Sequence, residues 1–380
     1  QTGRITKCAI WAMLCEMYLW KQDYDNCIKY ADLVIEDKKN LVSERRSQGN
    51  SYSSIYNSGS TDSRFNGYPL VNNQIMGSSF GNAYSDIFVD GNSQETIFEL
   101  VFDNSSAGNG MIANSAVGTL YGNSTVGKGL LAPSTAVIDD GQKTSQREIY
   151  ADRNKLVDAR IYVNTQSVTE GIGKFVWKSI QVNASSTTQP TILYTEPYSY
   201  NSSSKVHYNS SNWIVYRLTD IMLLKAEALA QKMLEGSEQE IIDYNAPLLA
   251  EAFSLVNAIN KRSVCEATLK DTLVARDYST KSQLVDLVMQ ERQRELMFEG
   301  KRWYDLVRRS LRDGDTSELC KAVAKRDGIN ASYVQNFFSS LSTGMYAIFW
   351  PYNYDETVVN PNLAAAQNPA FSSGEGSISK

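Results

Sequence analysis

Two glutamates in the last third of the chain have a spacing that could support hydrolytic chemistry. Glu291 and Glu295 are four positions apart in a segment with helical periodicity, which places both carboxylates on one helix face with Cβ atoms about 5–6 Å apart. A retaining glycosidase holds its two carboxyl groups at nearly that separation. Leu284, Val288 and Phe298 share this face, so both carboxylates point toward the core, where a buried charge must be paired.

Arginines close in sequence can supply that pairing, and we therefore interpret the two glutamates as structural and predict no catalytic residue here. We expect Glu295 to be buried and bonded to at least one arginine. The predicted structural network consists of Glu291, Arg292, Glu295, Arg302, Trp303 and Asp305.

A second group of residues fits the nucleophile-elbow pattern of serine hydrolases. Ser79 is the central residue of a GxSxG sequence at 77–81, and His207 follows it in the chain order that α/β-hydrolases use. The elbow requires a buried strand before it and a helix after it, whereas polar residues surround this one. A serine hydrolase is thus a distant alternative. The sequence at 127–132 fits a dinucleotide-binding pattern only nominally, because Pro133 follows immediately.

The metal-binding residue types are scattered. The five cysteines are an odd number without CxxC spacing, and His207 is the single histidine, with no ligand neighbour at zinc spacing. We predict free, mostly buried cysteines, no metal site and no cofactor. A calcium site made of carboxylates and carbonyls stays open as an alternative.

The net charge and the length of the chain limit the classes of protein to which it could belong. The 37 basic and 42 acidic residues give a net charge of −5, and the basic residues are scattered, which argues against a nucleic-acid partner. At 380 residues the chain exceeds the roughly 250–300 residues of a single compact core. It contains no apolar run near the ~20 residues of a membrane span. Because it opens directly on an amphipathic segment, we expect targeting information to lie upstream.

Two separated blocks of helical periodicity must position these residues. The first is a pair of short-linked segments at 6–19 and 24–35, which resembles one tetratricopeptide-type hairpin. The second contains the segments 221–231, 246–262, 282–298 and 303–311. Between the blocks, 43–212 is rich in Ser, Asn, Gly and Tyr, with short strand-like runs such as 96–102 and 174–177.

Several segments, taken in order, resemble the SusD/RagB family over nearly the whole chain. The strongest match is 291–306, ERQRELMFEGKRWYDL, which is similar to the family's "ER..EL.fEG.Rw.DL.R". Near the end, NPNL at 360–363 and QNPAF at 367–371 are similar to "NP.l.QNPGY", although Ala370 replaces the family glycine and Trp350-Pro351-Tyr352 departs from the usual "PIP". Further similar segments are 3–35, 95–99, 132–134, 158–160, 216–228 and 257–262.

The resemblance implies a mainly α fold, with tetratricopeptide-like helical hairpins and a long loop-rich insertion. We expect a single SusD-like domain over 1–380 that lacks the family's N-terminal part. Its predicted parts are a hairpin at 4–37, a ligand-binding insertion at 43–212, a helical block at 213–311 and an irregular C-terminal segment at 312–380.

The same resemblance implies a function. Members of the family are surface-exposed outer-membrane lipoproteins that partner SusC-like TonB-dependent transporters and bind glycans or, in the RagB branch, peptides. We therefore expect a non-catalytic receptor that delivers a glycan to such a transporter and meets the membrane only through a lipid anchor outside this chain. A RagB-like peptide receptor is the nearest alternative.

Tyrosines and asparagines in polar surroundings are the predicted ligand-binding residues. An aromatic face suits the apolar side of a sugar ring, and planar amides suit paired hydroxyls. Tyr121 leads because the glycines around it should present its ring outward from a loop, whereas core packing is favoured for Trp177 and Trp213. The full set is Tyr52, Tyr56, Tyr68, Asn104, Asn109, Tyr121, Asn123, Tyr198 and Tyr200.

Overall fold

The chain divides into two compact units, Gln1–Lys301 and Arg302–Lys380. The boundary falls inside the helical block predicted for 213–311. The computed structural model describes residues 3–47, 65–71, 79–81, 83–85, 87–88, 91–102, 115–123, 127–131, 133, 158, 160, 164, 172, 174, 179–183, 191–195, 211–263, 273–327, 330, 332, 334, 346 and 348–369.

Long helices carry the core of the first unit, and the mainly helical fold class is confirmed. The predicted hairpin is present, and its second helix packs on a helix from the downstream block. That second helix continues to Ser47, beyond the predicted end at 37. The helices are α1 (Lys7–Trp20), α2 (Tyr24–Ser47), α3 (Ala83–Ser85), α4 (Ser115–Tyr121), α5 (Leu218–Lys232), α6 (Gln239–Ser263) and α7 (Lys281–Glu295), with a 3₁₀ turn at Ala275–Tyr278.

Small side chains let α1 and α2 approach closely. Thr6 caps α1 by accepting a hydrogen bond from the Ala9 backbone N–H at 3.2 Å. The Cys15 and Cys27 sulfurs lie 3.6 Å apart across the interface. The predicted free, buried state holds for the four cysteines that the structure describes, which are Cys8, Cys15, Cys27 and Cys320.

Helix α5 is the centre of the first unit. Every residue from Leu218 to Ala230 is buried, and α1, α2, α6 and α7 pack around it. A helix surrounded in this way must neutralise its polar residues. The Lys225 ammonium accordingly donates to Asp32 Oδ1 at 2.5 Å and to the carboxylate of Glu251, which ties α5 to α2 and α6.

All strand pairs in the described residues are antiparallel. The sheets have the orders β1-β5-β6, β2-β7 and β3-β4, so the parallel sheet that a serine hydrolase needs is not among these pairs. Strand β7 continues directly into α5, which fixes the position of Arg217 at the junction. The strands are β1 (Ser79–Gly81), β2 (Thr96–Leu100), β3 (Gly122–Asn123), β4 (Gly127–Lys128), β5 (Ser179–Asn183), β6 (Thr191–Thr195) and β7 (Trp213–Arg217).

Both ends of α7 are well defined. At its N-terminus, Thr280 and Gln283 form a reciprocal capping box. At its C-terminus the chain turns through two residues in the left-handed region, Phe298 at φ 64° and Gly300 at φ 76°. Lys174 Nζ donates to the carbonyls of Glu295 at 3.0 Å and Met297 at 2.8 Å, satisfying oxygens that a helix end leaves unpaired.

The second unit is also helical, whereas an irregular segment is predicted for 312–380. Its helices are α8 (Arg302–Asp313), α9 (Ser317–Asp327), α10 (Tyr354–Val359) and α11 (Pro361–Ala365). Its buried apolar side chains are Leu306, Val307, Leu319, Cys320, Ala324 and Ile348. Among the helices described in either unit, none combines the length and apolar character needed to cross a membrane.

The capping box predicts a local stability effect. Replacing Thr280 by Ala removes the oxygen that accepts from the Gln283 backbone N–H at 3.3 Å, so we expect Thr280→Ala to lower the free energy of unfolding by about 1 kcal/mol. Urea unfolding followed by circular dichroism measures it. Ser282→Ala, in the exposed first turn of the same helix, is the matched control and should change stability by less than about 0.5 kcal/mol. Equal effects of both changes would contradict the role of the cap.

Candidate functional site

In the first unit, one buried carboxylate accepts hydrogen bonds from three guanidinium groups. The fully buried Glu295 side chain accepts from Arg262 Nη2 at 2.5 Å, Arg217 Nη1 at 2.6 Å and Arg160 Nη1 at 3.2 Å. Burial alone raises the pKa of Glu295, but the three arginines hold it well below its usual range. The predicted burial and arginine pairing of Glu295 are confirmed.

Glu291, the other glutamate with glycosidase-like spacing, is equally inaccessible to solvent. Glu291 is fully buried, and its oxygens accept from Arg160 Nη1 at 2.7 Å, Arg294 Nε at 3.1 Å and Asn260 Nδ2 at 3.4 Å. A glycosidase needs both carboxyl groups to reach the scissile bond. Here the hydrogen-bonding capacity of each carboxylate is directed at guanidiniums inside the core, so the pair has the geometry of a structural network.

The network extends well beyond the residues predicted for it. Each of the three arginines also binds a further carboxylate, in the pairs Arg262 with Glu95 at 2.7 Å, Arg160 with Asp158 at 2.7 Å and Arg217 with Glu299 at 2.8 Å. Lys174 Nζ donates to Glu299 at 2.6 Å, and burial lowers the pKa of Lys174 to about 8 although Glu299 opposes the shift. Most of these residues lie in the short segments that carry the family resemblance, which was the available signal.

Four further residues are predicted for the network: Arg292, Arg302, Trp303 and Asp305. Arg292 pairs with Asp220 of α5 at 3.0 Å. Arg302, Trp303 and Asp305 fall in the second unit. They begin α8 after the left-handed turn that ends the first unit, and their grouping with Glu295 stays a prediction.

Within α8 the acidic residue has a local partner. Asp305 is buried and accepts from Arg308 Nη2 at 2.8 Å, one helical turn further on. The Trp303 side chain is 37% exposed. These residues stabilise α8 and present an indole at its surface.

Tyr121, the leading ligand-binding prediction, is a core residue. It ends α4, where Val117 and Tyr121 are both buried one turn apart, and only 4% of Tyr121 is exposed. Its hydroxyl donates to the Phe298 carbonyl at 2.6 Å, and its ring stacks on Trp213 with centroids 6.2 Å apart. The expectation that this ring points outward is wrong, because Gly118 lies within a helix rather than in a loop.

Two other predicted residues are described in part. Tyr68 is partly buried against the core beneath the Lys39 ammonium, whose nitrogen is 5.6 Å from the ring centroid. Asn123 pairs through its backbone with Gly127 between β3 and β4. Ser79 opens strand β1, whereas a nucleophile elbow places its serine after a strand. Tyr52, Tyr56, Asn104, Asn109, Trp177, Tyr198, Tyr200, Cys265 and His207 lie outside the described residues.

An exposed group of aromatic side chains lies instead in the second unit, at 346–354, named here the aromatic segment. Trp350 is 86% exposed and Tyr354 is 76% exposed. Rigid Tyr and Trp side chains supply a large contact area at low entropic cost, and exposed apolar groups gathered in this way mark binding surfaces. The exposed members are Tyr346, Phe349, Trp350, Tyr352 and Tyr354.

Two side-chain amides hold the backbone of the aromatic segment. Gln367 Nε2 donates to the Tyr352 carbonyl at 3.1 Å, while its Oε1 accepts from the Tyr352 N–H at 2.9 Å. Asn368 Nδ2 donates to the carbonyls of Tyr346 at 2.9 Å and Phe349 at 3.0 Å. This amide clasp, Gln367 with Asn368, fixes the backbone without covering the rings. A binding surface held in place before the ligand arrives loses less entropy on binding.

Two further asparagines define the helices that follow. Asn353 Oδ1 accepts from the Asp355 N–H at 3.0 Å and caps α10, and Asn360 Oδ1 accepts from the Asn362 N–H at 3.1 Å and caps α11. Each amide also carries an Nδ2 donor group. The segment therefore combines exposed aromatic faces with exposed polar donors and acceptors.

Sequence reasoning missed the aromatic segment, although one signal was present. The departure of Trp350-Pro351-Tyr352 from the family's "PIP" introduces two aromatic residues, which the predicted ligand-binding set does not include. The neighbouring Gln367 and Asn368 belong to the family-like "QNP" sequence, whose clasp role becomes visible only once the chain has folded back.

Comparison with known proteins gives consistent matches. Residues 94–371 match the model of the SusD family. Two curated relatives from Formosa agariphila are similar: the SusD-like protein P38 is 30% identical over 156 residues, and the SusD-like protein P2 is 31% identical over 103 residues. A solved SusD superfamily protein from Bacteroides fragilis superposes with a TM-score of 0.51 at 16% identity.

The matches are partial for the relatives. They cover 41% and 27% of this chain but only 24% and 18% of the P38 and P2 proteins. The superposition covers 97% of this chain and 65% of the Bacteroides fragilis protein. The comparison with the solved structure shows a shared fold.

The buried network predicts a large stability loss. Glu295→Ala leaves three guanidiniums facing a site without its central carboxylate, so we expect the free energy of unfolding to fall by about 3–5 kcal/mol. Chemical denaturation measures it. Glu318→Ala is the control because Glu318 pairs with Lys321 at the surface at 2.7 Å, and its loss should cost at most about 1 kcal/mol. A Glu295→Ala protein as stable as the control would contradict the central role of this carboxylate.

A neighbouring buried carboxylate predicts a pH effect. Burial alone raises the pKa of Asp220, but Lys301 and Arg292 together lower it to about 2 from the ordinary 3.8. Since the folded-state pKa is the lower one, Asp220 stabilises the fold above pH 3.8, and this contribution is lost as the pH falls toward 2. We expect Asp220→Asn to be about 2 kcal/mol less stable than wild type at pH 7, with the difference narrowing below about pH 4. Urea unfolding from pH 7 to pH 3 measures both, and a constant difference would contradict the assignment.

Proposed function

Because this chain belongs to the SusD family, whose members are non-catalytic binding proteins, we propose that it is a receptor that captures a glycan through its aromatic segment. The family membership supports binding rather than turnover. The two features that suggested hydrolysis do not argue against a binding role. Glu291 and Glu295 are fully buried in the core, and Ser79 is the first residue of a strand.

The observation that carries the proposal is the exposure of Trp350, Tyr352 and Tyr354 on a backbone held by the amide clasp. A sugar ring has an apolar face bounded by hydroxyl groups. The apolar face packs on an aromatic ring, and the hydroxyls bond to nearby amides. The aromatic segment offers both groups at one place in the chain.

Features that recognise peptides are less apparent at this surface. Peptide receptors commonly add the peptide to a strand edge or hold its terminal carboxylate with cations or backbone N–H groups. The described part of 346–369 contains helices and turns and no strand, and the sequence 346–369 contains neither Lys nor Arg. The surface chemistry therefore favours a glycan ligand.

The proposal also covers where the protein is located in the cell and which transporter it works with. The family supports a surface-exposed lipoprotein of the outer membrane. We further propose that the captured glycan passes to a SusC-like TonB-dependent transporter, as the family resemblance implies. In that arrangement the receptor binds the glycan and the transporter carries it across the outer membrane.

The proposal predicts that one exposed ring dominates binding. Trp350→Ala should weaken glycan binding by about 1–3 kcal/mol, roughly 5- to 150-fold, because burial of one large aromatic face against a ligand contributes about that much. Isothermal titration calorimetry with a panel of soluble polysaccharides and oligosaccharides measures the affinity. A thermal melt should show an unchanged fold, since Trp350 is almost fully exposed.

Tyr304→Ala is the matched control, because this exposed tyrosine belongs to the same unit but lies on α8 outside the aromatic segment. It should leave glycan binding within about twofold of wild type. Equal binding by wild type and Trp350→Ala would remove the aromatic segment from the site. Binding of peptides with no response to any glycan would identify a RagB-like peptide receptor instead.

A further inference from the structure

The aromatic segment and the helices that follow it carry charge of only one sign. From Tyr346 to Pro369 the sequence contains no Lys or Arg, and its charged residues are Asp355 and Glu356. Both belong to the first turn of α10 and are exposed. They directly follow Tyr354, one of the most exposed rings of the segment. A ligand on this surface therefore meets two negative charges and no cation from the same stretch of chain.

Four cations elsewhere in the second unit have local acidic partners. Arg308 pairs with Asp305 at 2.8 Å, Lys321 pairs with Glu318 at 2.7 Å, and Arg309 and Arg312 both pair with Asp313, at 3.5 Å and 2.6 Å. All four pairs form within α8 or within α9. A sulfate or carboxylate on a ligand would compete with these local partners for the same four cations, so these four provide no ready site for an anionic group.

The physical consequence is selectivity by charge. Recognition of sulfate or carboxylate groups requires Arg or Lys, or backbone N–H groups pointed at the anion. Because the stretch 346–369 contains neither Lys nor Arg, an anionic ligand loses part of its hydration without gaining a cation from it and is also repelled by the carboxylates of α10. That repulsion acts over a Debye length of about 8 Å at physiological salt, which is comparable to the span of one or two sugar rings. A neutral sugar meets no such penalty and keeps its contacts with the rings and amides.

We infer that the aromatic segment selects uncharged glycans and discriminates against glycans that carry uronate or sulfate groups. This selectivity rests on the proposed function and names the ligand class of the same site. Asp355 and Glu356 are the residues that set it, and the amide clasp keeps the rings beside them.

The test compares each glycan with its own charged derivative. Neutral polysaccharides are titrated into the full chain by calorimetry, alongside the same polysaccharides after oxidation of their C6 hydroxymethyl groups to carboxylates. We expect the oxidised form to bind about fivefold more weakly or worse at low salt, with the ratio shrinking as salt is raised. In the double variant Asp355→Asn, Glu356→Gln, the ratio of the two affinities should fall toward one.

Glu36→Gln is the matched control, since it removes one exposed negative charge from α2, outside the aromatic segment. It should leave the ratio of the neutral and oxidised affinities unchanged. Oxidised glycans that bind as tightly as neutral ones, or a ratio that the double variant does not alter, would overturn the charge selectivity while the proposed function stands. Failure of every glycan in both forms to bind would overturn the proposed function itself.

Discussion

The first unit depends on one arrangement of charge, the Glu295 carboxylate held by three arginines. Arg160 and Arg262 come from segments far apart in sequence, and Arg217 from the junction of β7 and α5. Buried guanidiniums are tolerable only where carboxylates neutralise them, so these segments must meet in one geometry. Apolar packing alone adapts to small shifts, whereas a shared carboxylate does not. The network thus specifies how the helices and the intervening segments assemble.

The buried charge network and the proposed recognition surface lie in different units. The first contains the network around Glu295, whose charged groups are buried. The second presents Trp350 and its neighbours, held by hydrogen bonds from Gln367 and Asn368 that span fewer than about twenty-five residues. Because the clasp is local, the rings it presents can change without disturbing the buried charges. This separation suits a receptor whose fold is constant and whose ligand differs from one relative to another.

The misassigned tyrosine illustrates a general difficulty. Tyr121 and Trp350 both follow glycine-containing or irregular sequence, and no periodicity distinguishes them. Tyr121 is buried because its hydroxyl donates to the Phe298 carbonyl and its ring stacks on Trp213, both from distant segments. Trp350 is exposed because the local amides bond only to the backbone around it. Polar surroundings in sequence indicate exposure only when no distant element folds over the residue.

The sequence by itself determined the helical hairpin, the burial of Glu295 and the family, because 3.6-residue periodicity and short ordered motifs are local properties. It also identified most segments that supply the network, though not their partners. Tertiary structure decided that Arg160, Arg217 and Arg262 share one carboxylate, that the chain divides after Lys301, and that exposed aromatic rings gather at 346–354. The shared carboxylate depends on contacts between residues up to about 135 positions apart, and even the amide clasp joins residues 15 and 22 positions apart, beyond the reach of a pattern with a period of 3.6 residues.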